Sequence, residues 1–179
     1  MSDILDCFSA ELQEKPYDKV TISDICRRAR VSRKTFYRYF HSKQACLLAV
    51  IDRHLSASYE EATQGGLQAY FIYWRRNSAF LQTLRANELY PLLVEQAVLF
   101  IKQSLALNWD ACRIHFVVTG VLCVIVQWIE LGCEETVDDL GKELHKVLSV
   151  PLLTLLSNED PPVCFYRMTH HIGKKNPVC

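Results

Sequence analysis

Between Ser32 and Lys43 the chain sets Arg33, Lys34, Thr35, Tyr37, Arg38 and Tyr39 around two phenylalanines, Phe36 and Phe40. Guanidinium and ammonium groups donate hydrogen bonds to phosphate oxygens and to the acceptors on guanine. Hydroxyls and aromatic rings add contacts to the backbone and to thymine methyls. At about 100° per residue, Phe36 and Phe40 share one helical stripe, Lys34, Thr35 and Arg38 fall opposite, and Arg33 and Tyr37 lie on the flank. A short helix pinned by its phenylalanines and cationic outside is shaped to enter a DNA groove. The same pattern also arises as a solvated basic face. A helix this short gains little from crowding cations together, so that explanation is the weaker one.

The elements that must position this helix are legible from caps and periodicity. Ile4, Leu5, Phe8 and Leu12 predict a first helix over about 2–14, ended by Pro16. Thr21 caps a second helix, with Asp24 in the reciprocal position, and Ile22, Ile25 and Cys26 face inward. That helix ends near Ala29, Arg30 and Val31 make the turn, and Ser32 caps the third helix over about 33–39. Ser42 caps a long fourth helix to about Gln64, with Leu47, Leu48, Ile51 and Leu55 as its apolar stripe and Gly65-Gly66 as its stop.

Beyond Leu67 the chain remains helical in pattern. An aromatic-rich block precedes Pro91, where a break is expected before a helix over about 92–106. Asn108 or Asp110 opens the next helix, whose run from Ile114 to Ile129 is nearly all apolar. Sixteen residues interrupted by His115 and Gln127 fall short of a membrane span, so the run is expected to be buried in its own bundle or covered by another subunit. Thr136, with Asp139, caps a last helix that Pro151 should kink. The expected fold is all-α: a three-helix N-terminal unit over 1–45, a linking helix over about 42–64, a helical body over 46–157 and a poorly packed tail over 158–179.

Charge separates the two parts. The 179-residue chain is neutral overall, yet residues 15–54 hold ten Lys/Arg against three Asp. A basic module on a mildly acidic body suits a protein that touches a polyanion through one part only. Eight cysteines occur, but five of them (Cys26, Cys46, Cys112, Cys123 and Cys133) sit among apolar residues at helical spacing and no signal-peptide pattern precedes them. Reduced, buried thiols in a cytoplasmic protein are expected. No C-x-x-C pair, Gly-rich phosphate loop, H-E-x-x-H or Ser/His/Asp set stands out, so no catalytic residue, metal or cofactor is assigned. Cys164, His170 and His171 in the tail read as exposed rather than as ligands.

The run Thr21-Ile22-Ser23-Asp24-Ile25-Cys26, then Val31 through Phe40, then Ser42-Lys43, resembles the DNA-binding domain of TetR/AcrR-type bacterial transcriptional regulators over about residues 4–55. The resemblance implies a helix-turn-helix made of the second and third helices. It implies DNA contacts by Thr21, Ser23, Ser32, Arg33, Lys34, Thr35, Tyr37, Arg38, Tyr39 and Lys43, with Arg33 as the main base reader and Lys34 second. It further implies a homodimer through the last two helices (about 110–131 and 136–156), an inverted-repeat operator, and release by a small-molecule effector. Repression is the usual outcome of that arrangement. Tyr70, Tyr73, Trp74, Phe80, Tyr90, Trp109, Phe116 and Trp128 are the aromatic candidates for an effector cavity, although aromatics at helical spacing also pack as ordinary core. The chain departs from the family at Arg30 and Lys34, where glycine is usual. Either Arg30 takes a positive φ, at a cost of about 1 kcal/mol, or the turn is built differently. The competing interpretation is a helical ligand-binding or interaction protein without DNA binding.

Overall fold

The computed structural model describes residues 2–104 and 111–149. Every regular element among them is helical: α1 (Ser2–Glu14), a 3-10 turn (Tyr17–Lys19), α2 (Ile22–Arg28), α3 (Arg33–Tyr39), α4 (Lys43–Arg76), α5 (Ser78–Ala86), α6 (Tyr90–Ser104), α7 (Ala111–Glu130) and α8 (Val137–Ser149). The all-α expectation and the boundaries of the first three helices hold.

Those boundaries follow from local chemistry. The Thr21 hydroxyl accepts from the Asp24 backbone N–H at 3.1 Å, while the Asp24 carboxylate accepts from the Thr21 backbone N–H at 3.0 Å. Two otherwise orphaned donors are thereby satisfied at the start of α2. Ser32 and Ser42 cap α3 and α4 in the same way, accepting from Thr35 and Ala45 at 3.0 Å. Helix α2 closes with the Val31 N–H on the Cys26 carbonyl and the Arg30 N–H on the Arg27 carbonyl, the double bond of a Schellman turn. Arg30 takes the left-handed position at φ 54°, so the first of the two alternatives for this turn is the one adopted.

Two elements differ from the sequence-based expectation. Gly65-Gly66 does not end the fourth helix. Only Gly66 leaves helical geometry, at φ 68° and ψ −162°, and the helix resumes at once to Arg76. A kink without a loop is available because glycine alone tolerates that backbone region. Pro91 lies within the first turn of α6 rather than before it, where its missing N–H has no helical partner to lose.

The chain divides into two compact units, 1–126 and 127–179. In the first, α1 packs on α2, α4 and α5, α2 packs on α3, and α4 packs on α5 and α6. Phe8, Ile25, Phe36, Cys46, Leu47 and Val50 are fully buried in its N-terminal part, and Phe71, Trp74, Leu84 and Leu93 in its body. In the second unit Thr136 caps α8 through Asp139, and Trp128 donates from Nε1 to the Glu135 carbonyl at 3.0 Å. Leu140 and Leu144 on α8 are buried. The Pro151 kink, Trp109 and the tail lie outside the described residues.

At 20 residues α7 is longer than the apolar run suggested, and by length and composition alone it could cross a bilayer. It is not buried on every side: Ile114, Val118, Leu122, Ile125 and Val126 are buried, whereas Cys112, Phe116, Thr119 and Cys123 are exposed. Cys112 and Cys123 thus differ from the buried thiols expected. Cys26 and Cys46 are buried as expected, and burial pushes the Cys46 thiol up to about 12.

Candidate nucleic-acid interface

Helix α3 is anchored through one side. Phe36 is fully buried, its ring 5.6 Å from that of Phe40, and Phe40 is buried immediately after the helix. The opposite side is open. Arg33, Lys34, Tyr37, Arg38 and Tyr39 are exposed and Thr35 is half-buried. Lys34, Thr35, Tyr37 and Arg38 together line one shallow groove on this surface. Tyr37 and Tyr39 are exposed to 47% and 44%.

The cations here are pre-positioned by rings. The Arg38 guanidinium lies 5.0 Å above the Tyr39 ring and donates from Nη2 to its hydroxyl at 3.1 Å. Arg33 lies 6.0 Å over the Tyr37 ring, with a loose 3.5 Å contact from Nη2 to the Tyr37 hydroxyl. Cation–π contact of this kind restricts a long side chain while leaving its outer N–H groups free to donate. Lys34 makes no hydrogen bond or ion pair among the described residues.

The hydroxyl candidates are placed differently from one another. Ser23 is exposed at the start of α2. The Thr21 and Ser32 hydroxyls are engaged in caps, Thr21 with Asp24 and Ser32 with Thr35, whose own hydroxyl lies 2.9 Å away. Both hydroxyls are thus committed to holding helix N-termini.

Lys43 is the largest departure from expectation. Its ammonium donates to the Tyr17 carbonyl at 2.8 Å and the Val20 carbonyl at 2.9 Å, and sits 4.0 Å from the Tyr17 ring centroid. Desolvation lowers its pKa. Two of its three donors are spent within the protein, so its geometry is that of a strut between the start of α4 and the turn before α2.

Arg28 and Lys15 are likewise paired within the protein. Arg28 bonds Glu11 at 2.9 Å and also Glu14, and Lys15 bridges Glu11 at 2.8 Å and Asp24 at 3.1 Å. This network sews α1 to α2, while Arg33, Lys34 and Arg38 on α3 stay exposed.

Behind the interface lies an apolar cavity of about 300 Å³ between α4, α6 and α7. Of the seven aromatic candidates among the described residues, only Tyr70 lines it. Trp74 and Phe80 are buried in the core, where His54 stacks between them, 4.0 Å from the Phe80 ring. Tyr73 bonds the His54 Nδ1 at 2.8 Å, the Tyr90 hydroxyl is buried without a partner, Phe116 is 64% exposed, and Trp128 is buried against its own turn. The lining is mainly aliphatic, including Leu55, Ala97, Val118 and Leu122. The sequence signal for it is the row of small and apolar residues at helical spacing on α4 (Leu55, Ser58, Ala62, Gly66), which a search for aromatics passes over.

Residues 4–50 match the family model for bacterial regulatory proteins of the tetR family. The chain is also similar in this region to the HTH-type transcriptional regulator EthR, 43% identical over 42 residues to the proteins of Mycobacterium tuberculosis and Mycobacterium bovis. The similarity to the EthR of Mycolicibacterium smegmatis is 44% over 41 residues. The matched stretch makes up 24% of this chain and spans 19% of the length of the first two relatives. Over residues 4–50 the chain is therefore similar to the tetR family of regulatory proteins, as its motif implied.

Proposed function

We propose that the chain is a sequence-specific, DNA-binding transcriptional regulator of the TetR type, working in the cytoplasm as a homodimer and not as an enzyme. The observation that carries this reading is α3: Phe36 fixes the rod from behind, and Arg33, Lys34, Tyr37 and Arg38 stand outward. In the major groove, Arg33 reads guanine and Lys34 reads or anchors beside it, while Tyr37, Arg38 and Tyr39 engage backbone and base methyls. The N-termini of α2 and α3, capped by Thr21 and Ser32, face phosphates, with Ser23 and Thr35 supplying further donors.

A single module of this size reads few base pairs, so two copies on an inverted repeat, with half-sites about 34–36 Å apart or a multiple of it, give the necessary specificity. The exposed stripe of α7, with Phe116 at its most open position, supports pairing of two chains through the last helices. The cavity behind α4 supports an effector that releases the operator by favouring the non-binding arrangement, and so a repressor.

A salt-titrated gel shift on the DNA upstream of the chain's own gene tests this. Specific binding whose affinity falls steeply with salt is expected. Absence of binding at low salt rejects the regulator and favours a helical ligand-binding protein.

A further inference from the structure

The cavity's walls restrict what can enter it. Among the described residues its lining contains no Asp, Glu, Lys, Arg or His. A charged group placed there would lose its hydration and meet no counter-charge, which is among the costliest exchanges a protein interior can make.

Polar contact is confined to a few hydroxyls. Ser58 is 1% exposed and donates to the Leu55 carbonyl at 2.8 Å, which leaves its oxygen available as an acceptor. The Tyr70 phenol lies beside Ser58 and Trp74, and burial raises its pKa, so it remains a neutral donor. Tyr59 instead packs its ring on Phe100, 5.7 Å between centroids.

We propose that this cavity binds an uncharged, predominantly apolar alcohol, whose oxygen accepts from the Tyr70 hydroxyl and whose own proton is donated to the Ser58 oxygen. The molecule touches α4 on both sides of the Gly66 kink, at Leu55 and Ser58 before it and at Tyr70 after it. Its role as the effector rests on the regulator reading above. Its chemical class rests on the lining alone.

The test uses the full chain without DNA and three probes of equal chain length at pH 7: 1-octanol, octanoate and octylamine. Calorimetry and thermal unfolding should show 1-octanol binding at least tenfold more tightly than either ion and raising the midpoint in proportion to occupancy. Tyr70→Phe should weaken 1-octanol several-fold. Val118→Trp should abolish binding by filling the space, and Ala97→Leu serves the same purpose if that variant does not fold. Equal affinity for octanoate or octylamine, no binding of 1-octanol, or binding unaffected by a filled cavity overturns the proposal. DNA binding without 1-octanol binding sinks the ligand class and leaves the regulator standing. 1-Octanol binding without DNA binding does the reverse.

Discussion

The Asn87 side-chain oxygen accepts the Tyr17 backbone N–H at 2.5 Å, across 70 residues of sequence. Asn87 ends α5, and its amide nitrogen is itself held on the Thr83 carbonyl at 2.8 Å. Tyr17 begins the turn that leads into α2, and its carbonyl takes the Lys43 ammonium. One residue is thus gripped through its N–H by the end of α5 and through its carbonyl by the root of α4. Any tilt of α4 relative to α5 must pull on the segment that orients the helix-turn-helix. Replacing Asn87 by Ala leaves the Tyr17 N–H without its partner and should cost about 1–3 kcal/mol in urea unfolding. A variant as stable as the parent would show that this link carries no strain-bearing load.

Gly66 sits at φ 68° and ψ −162°, a region nearly reserved for glycine, with no atom within 4 Å of where a Cβ would stand. Any penalty from Gly66→Ala is therefore backbone strain and not a clash. We expect a loss of about 1–3 kcal/mol by chemical denaturation. An unchanged midpoint would mean that α4 straightens through this point at little cost.

Arg30 occupies the left-handed position of a Schellman turn that glycine fills more readily. Arg30→Gly should raise stability by about 1 kcal/mol. If the same change lowers DNA affinity and reduces the salt slope by about one, the arginine is retained for a phosphate contact. Lower stability would place the turn's favourable energy in the arginine side chain.

Acidification should act in two windows. Burial, and secondarily Arg53, holds His54 at about 4, against 6.5 when unfolded. Its folded value is depressed, so its contribution is complete above pH 6.5 and declines as pH falls towards 4. Bonds from the Thr21 hydroxyl and backbone, and then Lys15, hold the Asp24 carboxyl well below the usual carboxylate range. Its contribution is complete above the unfolded value of 3.8 and is lost below it. Urea midpoints followed against pH should flatten in the upper window for His54→Gln and in the lower for Asp24→Asn. A pH profile identical to the parent's in either variant removes that residue from the account.

Base reading and structural support should separate by mutation. Arg33→Ala should relax preference at one operator position by about 1–3 kcal/mol. Lys43→Ala should lower the thermal midpoint and weaken all sequences alike, because its ammonium braces the Tyr17 and Val20 carbonyls. Loss of preference with Lys43→Ala and none with Arg33→Ala would exchange their roles.

The sequence alone determined the parts governed by neighbours in the chain. Thr21 with Asp24, Ser32 and Ser42 each satisfy donors three residues away, and Phe36 and Phe40 repeat at the helical period. These local rules marked the first three helices, the starts of α4 and α8, and the cationic outer face of α3. Only the tertiary structure decided which cations are spent inward and which stand free, because Lys43 meets Tyr17 and Arg28 meets Glu11 through contacts between elements. It likewise decided that Leu55, Ala97 and Val118, rather than most of the aromatics, wall the cavity. An apolar side chain packs equally well on any face offered to it. Which face becomes core and which borders a void is settled when helices distant in sequence come together, and periodicity within one helix carries no record of that choice.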